Sequence, residues 1–179
     1  MKNRREFLKS AGALATTMSL GSLGEVMAQL KQENKLGIQL FSIPKMLSEN
    51  FEGGLKMLAT QGYKELELFG PYPFSAESAK KGWEATGKMP GFSGSGYFGK
   101  SALEVKKMLK DNGLSSPGTH TDLDTLENNM GALCEAAQIM GWKYVTLPAI
   151  PDDRRKTLDD YKRIAETFNK IGENARKNG

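Results

Sequence analysis

Gly62-Tyr63-Lys64-Glu65-Leu66-Glu67-Leu68-Phe69 alternates apolar and charged side chains behind a leading glycine. In a strand over residues 63–69 this sends Leu66 and Leu68 to one face and Glu65, Glu67 and Phe69 to the other. Just upstream, Leu55, Leu58 and Ala59 recur at helical spacing, and Gly62 stops that helix. The unit of helix, glycine stop and strand repeats along the chain. Strands are expected at residues 36–42, 63–69, 114–121 and 143–149. A second helix opens at Ser101-Ala102-Leu103-Glu104 with a capping box and ends at Asn112-Gly113. A third carries Leu126, Met130, Leu133, Cys134, Ala137 and Met140 and stops at Gly141. Asp122 and Asp124 are read as its caps. A fourth carries Leu158, Tyr161, Ile164, Ala165, Phe168 and Ile171 and closes on Asn178-Gly179.

Strand and helix in strict alternation, four times over, predict an α/β fold with a parallel sheet and helices packed outside it. A (β/α)8 barrel takes about 250 residues, so about four βα units over residues 29–179 amount to a partial TIM barrel. An open four-stranded parallel sheet leaves two free edges, which proteins generally cover. The expectation is therefore the N-terminal half of a longer barrel, or a half-barrel that forms a homo-oligomer by pairing with another copy.

Composition narrows the chemistry. The 179 residues include one Cys and one His, which excludes a disulfide scaffold, a Cys-based zinc site and a multi-histidine cage within the chain. Cys134 is expected to be reduced and buried in a helix. Four of the 25 basic residues (Lys2, Arg4, Arg5 and Lys9) fall in the first 28 positions. The remainder is nearly neutral, so no nucleic-acid surface is expected. Arg4-Arg5-Glu6-Phe7-Leu8-Lys9, an uncharged stretch over residues 10–24 and Val26-Met27-Ala28 resemble a twin-arginine signal peptide over residues 1–28. That stretch is too short to span a bilayer as a helix. The mature protein is then expected to be periplasmic or secreted, without stable membrane association.

Residues 71–100 contain six glycines, three prolines and six of the fifteen aromatics, and read as a long irregular loop. In a barrel this loop lies at the carboxyl ends of the strands, where Trp83 and Phe98 could stack on a sugar. Gly94-Ser95-Gly96-Tyr97-Phe98-Gly99-Lys100-Ser101 matches the P-loop pattern letter for letter. No apolar run precedes it, so phosphate binding at residues 94–101 is the minor reading. A looser anion site at the start of the second helix stays open beside it.

The strand ends supply the chemistry-bearing side chains. Gln39 and Phe41 alternate with Ile38 and Leu40 and face the barrel interior with Glu67. An inward carboxylate needs a partner or a task, so Glu67 is either a site residue or half of an ion pair with a lysine. His120 ends the third strand, where barrel enzymes place catalytic groups. Asp152, Asp153, Arg154 and Arg155 read as a solvated turn.

Residues 37–42, Gly62 to Leu68, the His120 strand and Gly141-Trp142-Lys143-Tyr144-Val145-Thr146-Leu147-Pro148 together resemble the sugar phosphate isomerase/epimerase family, with its xylose isomerase-like TIM barrel. The resemblance implies isomerisation or epimerisation of a small carbohydrate next to its carbonyl, through an enediolate stabilised by a divalent metal (Mn, Mg, Co or Zn). It implies that the metal ligands lie beyond Gly179, and that these 179 residues alone are inactive. It also implies Glu67 and His120 as catalytic residues and Gln39 and Phe41 as pocket lining. Related members are keto-sugar or inosose lyases and dehydratases. From the residues alone, a non-catalytic carbohydrate-binding protein is the alternative.

Overall fold

The computed structural model describes residues 35–86 and 93–179. The leader read over residues 1–28 lies outside the described residues. Four strands, β1 (Gly37–Gln39), β2 (Glu65–Phe69), β3 (Ser115–His120) and β4 (Tyr144–Thr146), form one all-parallel sheet in the order β1-β2-β3-β4. Between them run α1 (Pro44–Glu49), α2 (Phe51–Thr60), α3 (Glu77–Thr86), α4 (Ala102–Asp111), α5 (Leu123–Asn128) and α6 (Met130–Met140); α7 (Leu158–Lys177) follows β4. This is a partial α/β TIM barrel.

Helix ends are fixed locally. Asn50 accepts the Gly53 N–H at the start of α2 (2.8 Å), and Ser101 with Glu104 makes the expected capping box on α4. Asp122 caps α5 by accepting from the Thr125 N–H (2.8 Å). Asp124 does not cap; its carboxylate accepts from Ser78 and Asn128. Gly141 ends α6 in the left-handed region, and Thr157 with Asp160 caps α7.

Packing follows the alternation. Leu66 and Leu68 are fully buried against Leu55 and Leu58 of α2 and Val105 and Leu109 of α4. That hydrophobic layer lies between sheet and helices. The β2–β3 register slips by one residue, because Glu65 pairs with Ser115 and Glu67 with Gly118. The slip puts Ser116 and Thr119 both on the helix side. There Trp142 Nε1 donates to Ser116 Oγ (3.0 Å), while the Thr119 hydroxyl donates to Leu68 O (2.9 Å) and pairs with the Tyr72 hydroxyl.

Four expectations are corrected. The first strand is shorter than residues 36–42: Gln39 Oε1 accepts the Phe41 N–H (2.6 Å) and turns Leu40–Ser42 into a 3-10 helix. Residues 71–100 are not wholly irregular. They contain α3, which tolerates Gly82 because Trp83 packs on Phe41 and Phe69. The expected third helix is two, broken at Asn129, whose side-chain amide donates to Phe74 O (2.8 Å) in the loop between β2 and α3. Cys134 is a free thiol on α6, half-buried rather than buried, and what burial it has raises its pKa.

Candidate functional site

The sheet face opposite the helix layer gathers its polar side chains at the carboxyl ends of the strands. Gln39 ends β1 and stands in register with Glu67 on β2. Phe69 is opposite His120, and His120 is opposite Thr146. Gln39 Nε2 lies 3.2 Å from both ring nitrogens of His120, so the amide donates to whichever nitrogen carries no proton. Thr146 Oγ1 donates to Glu67 Oε1 (3.2 Å). The lysine partner considered for Glu67 belongs instead to Glu65, which meets Lys35 Nζ at 3.3 Å.

Aromatic rings surround the histidine. The rings of Phe41 and Phe69 stand edge-on to His120 at 6.3 and 6.0 Å, and Trp83 lies 6.3 Å from Phe41 and 5.7 Å from Phe69. Burial lowers the pKa of His120, while the negative charge of Glu67 pulls it partly back. The imidazole is therefore neutral near pH 7, with one donor and one acceptor nitrogen.

Phe41, Trp83, His120, Thr121, Asp122 and Leu147 line a cavity of about 510 Å³ between α3 and the ends of β3 and β4. Phe98 lies elsewhere: its ring stacks on Phe51 at 4.5 Å and lines a second cavity of about 520 Å³ with Ser48, Asn50 and Lys100. Of the residues read from the sequence, Gln39, Phe41, Glu67, Trp83 and His120 share the strand-end face and its aromatic cluster; Phe98 meets that cluster edge-on through Phe69 at 5.9 Å but lines the other cavity. Thr146 and Phe69 were not among them. Their signal was the two-residue period of their strands, which puts Phe69 two positions beyond Glu67.

The glycine-rich segment spends its amides internally. Gly94 donates to Ser48 Oγ (2.9 Å), Gly96 to Phe69 O (2.9 Å), Phe98 to Ser95 O (2.9 Å), Lys100 to Tyr97 O (3.0 Å) and Ser101 to Glu104 Oε2 (2.7 Å). A phosphate cradle needs such groups free. The turn after β4 pairs Arg154 with Glu127 (3.1 Å) and Arg155 with Asp152.

No family model and no curated protein matches the chain. Among solved structures, a sugar phosphate isomerase/epimerase from Parabacteroides distasonis matches with 26% identity and a TM-score of 0.59, over 81% of this chain and 48% of its own length. The chain is similar to the sugar phosphate isomerase/epimerase family. A second structure of that description, also from Parabacteroides distasonis, shares the fold at 19% identity and a TM-score of 0.55, over 81% of this chain and 51% of its own length. The chain thus spans about half the length of the isomerase/epimerase structures it matches. Among its described residues, no helix is long and apolar enough to cross a membrane.

Proposed function

We propose that the strand-end face binds a small carbohydrate and moves a proton on the carbon next to its carbonyl, as a sugar isomerase or epimerase does. The observation that carries this reading is the contact of the Gln39 amide with the His120 ring, with Glu67 in register beside Gln39. The Glu67 carboxylate takes the proton from that carbon, and its orientation is held by the Thr146 hydroxyl. Negative charge then develops on the carbonyl oxygen, and the neutral His120 ring supplies an N–H to it. Gln39 holds the ring in place. Return of the proton to the former carbonyl carbon, as the proton of the neighbouring hydroxyl passes to the old carbonyl oxygen, isomerises the sugar; return to the original carbon from its opposite face epimerises it.

The family likeness implies a divalent ion that would stabilise the enediolate. Among the described residues, no three of His, Cys, Asp or Glu converge to hold one, and Glu67 and His120 are two donors only. The described residues do not fit the ion.

The test is incubation of the full chain in D2O with aldoses and ketoses, followed by NMR at the carbon next to the carbonyl. Deuterium wash-in that Glu67→Gln abolishes is the expected result. Sugar binding without wash-in would favour a second reading, a non-catalytic carbohydrate-binding protein, for which the ring cluster of Phe41, Phe69 and Trp83 speaks.

Among the described residues β1 pairs only with β2 and β4 only with β3, and Tyr144 on β4 is 69% exposed. A second copy pairing along these edges is the partner we propose, checked by sedimentation. The twin-arginine pattern at Arg4-Arg5 supports export to the periplasm or beyond.

A further inference from the structure

We propose that the cavity beside His120 takes an uncharged glycoside whose sugar ring carries a keto group, because the glycosidic bond masks the anomeric carbonyl; its apolar aglycone lies against Phe41 and Trp83, and it is preferred to a sugar phosphate. This names the substrate class of the carbohydrate site proposed above and rests on that reading.

Charge is the first argument. Among the described residues that line the cavity there is no Lys or Arg, and the one ionised group is Asp122. Among the described residues a phosphate brought here would meet a carboxylate and no counter-charge, and an unpaired anion out of water is costly. Cations on the flanking segments are engaged elsewhere: Lys80 on α3 with Glu77 at 2.9 Å, and Arg154 after β4 with Glu127 at 3.1 Å. Lys81 is solvent-exposed and outside the lining. Backbone donors do not compensate. α5, which begins at the cavity, has six residues, and Asp122 already takes its Thr125 N–H. The contrast is the second cavity, which does include a cation, Lys100.

Shape and polarity are the second argument. Phe41, Trp83, Leu123, Leu147, Pro148 and Pro151 form apolar walls, while the His120 ring and the Thr121 hydroxyl supply hydrogen-bonding groups at one end. A sugar ring presents C–H faces to aromatic rings and hydroxyls to polar groups. At about 510 Å³ the cavity falls among sites for drug-sized ligands, leaving room beyond one sugar ring for an apolar substituent.

The experiment uses the two tryptophans of the full chain. Trp83 lines the cavity, while Trp142 is buried on the helix side of the sheet, so their two indole N–H signals give a probe and an internal control. Phenyl glucoside (a binding probe, since it carries no carbonyl), glucose 6-phosphate and phenol are titrated separately. The expected result is a shift of the Trp83 signal at a concentration at least tenfold lower for phenyl glucoside than for either of the others. Ala149→Lys, at an exposed position of the lining, supplies the missing counter-charge without disturbing the core. It should strengthen glucose 6-phosphate binding at least tenfold at low salt, and lose that gain at high salt. Glucose 6-phosphate binding to the unaltered chain as tightly as phenyl glucoside would overturn the substrate class and leave the carbohydrate reading standing. Phenol matching phenyl glucoside, or no ligand moving Trp83, would overturn both.

Discussion

Gln39 and His120 lie 81 residues apart in the chain, yet the Gln39 amide is 3.2 Å from the His120 ring. β2 runs between their strands, with Glu67 opposite Gln39 and Phe69 opposite His120. Two side chains separated by two inter-strand spacings of about 4.8 Å each meet when the sheet curls toward their face. The contact is a signature of the barrel interior, and the predictions start from it.

Gln39→Leu removes the amide that holds the His120 ring. The expected cost is about 1 kcal/mol, read as a lower urea midpoint. The His120 ring should lose its fixed orientation, read as weaker NOEs from its protons to the Phe41 and Phe69 rings. Unchanged NOEs would mean that the amide does not orient the ring.

His120 is the only histidine, so its titration is a single NMR signal. Burial lowers its folded pKa below the ordinary 6.5. The unfolded chain therefore binds its proton first as pH falls, and stability drops as pH goes from about 7 through 6.5. The loss levels off below the folded pKa. Glu67→Gln removes the charge that opposes the shift, so the His120 pKa should fall further. A rise would contradict the assignment.

Leu66 is fully buried at the centre of the sheet, and Leu66→Ala should cost about 2–5 kcal/mol by chemical denaturation. Tyr72→Phe tests the polar pair behind β2. The Thr119 proton already goes to Leu68 O, so Tyr72 is the donor to Thr119 and loses one hydrogen bond, about 1 kcal/mol. Equal costs for the two variants would contradict this placement.

Gly96 has φ +60°, and a Cβ there would lie 2.6 Å from the Pro71 carbonyl oxygen. Gly62 has φ +94° with nothing within 4 Å of a Cβ. Gly62→Ala should therefore cost only backbone strain, about 1–2 kcal/mol. Gly96→Ala should cost clearly more, because backbone must move as well. Thermal melts of the two variants side by side decide it.

Replacing Arg4 and Arg5 together by Lys should leave unprocessed protein in the cytoplasm, visible as a heavier band in fractionated cells. Normal export would remove the twin-arginine reading.

The sequence by itself determined the order of the four strands, the capping box at Ser101, the glycine stop after α6 and the two faces of β2. These are set by interactions a few residues long: the alternation of Leu66 and Leu68 with Glu65 and Glu67, the Ser101–Glu104 box, the glycine after α6. Tertiary structure decided the rest. α3 was hidden because Gly82 weakens its local signal, and the packing of Trp83 on Phe41 and Phe69 fixes it. The break at Asn129 depends on a bond to Phe74, 55 residues away. Phe98, an aromatic in a promising loop, stacks on Phe51 and meets the cluster only through the edge of Phe69, because the amides of Gly94 and Gly96 tie that loop to Ser48 and Phe69. The site itself belongs to this second class. Gln39, Glu67, His120 and Thr146 could each be placed on a strand end from local period, but which touches which follows from strand register and sheet curvature. Those are settled by burial across the whole layer, which no short stretch of chain encodes.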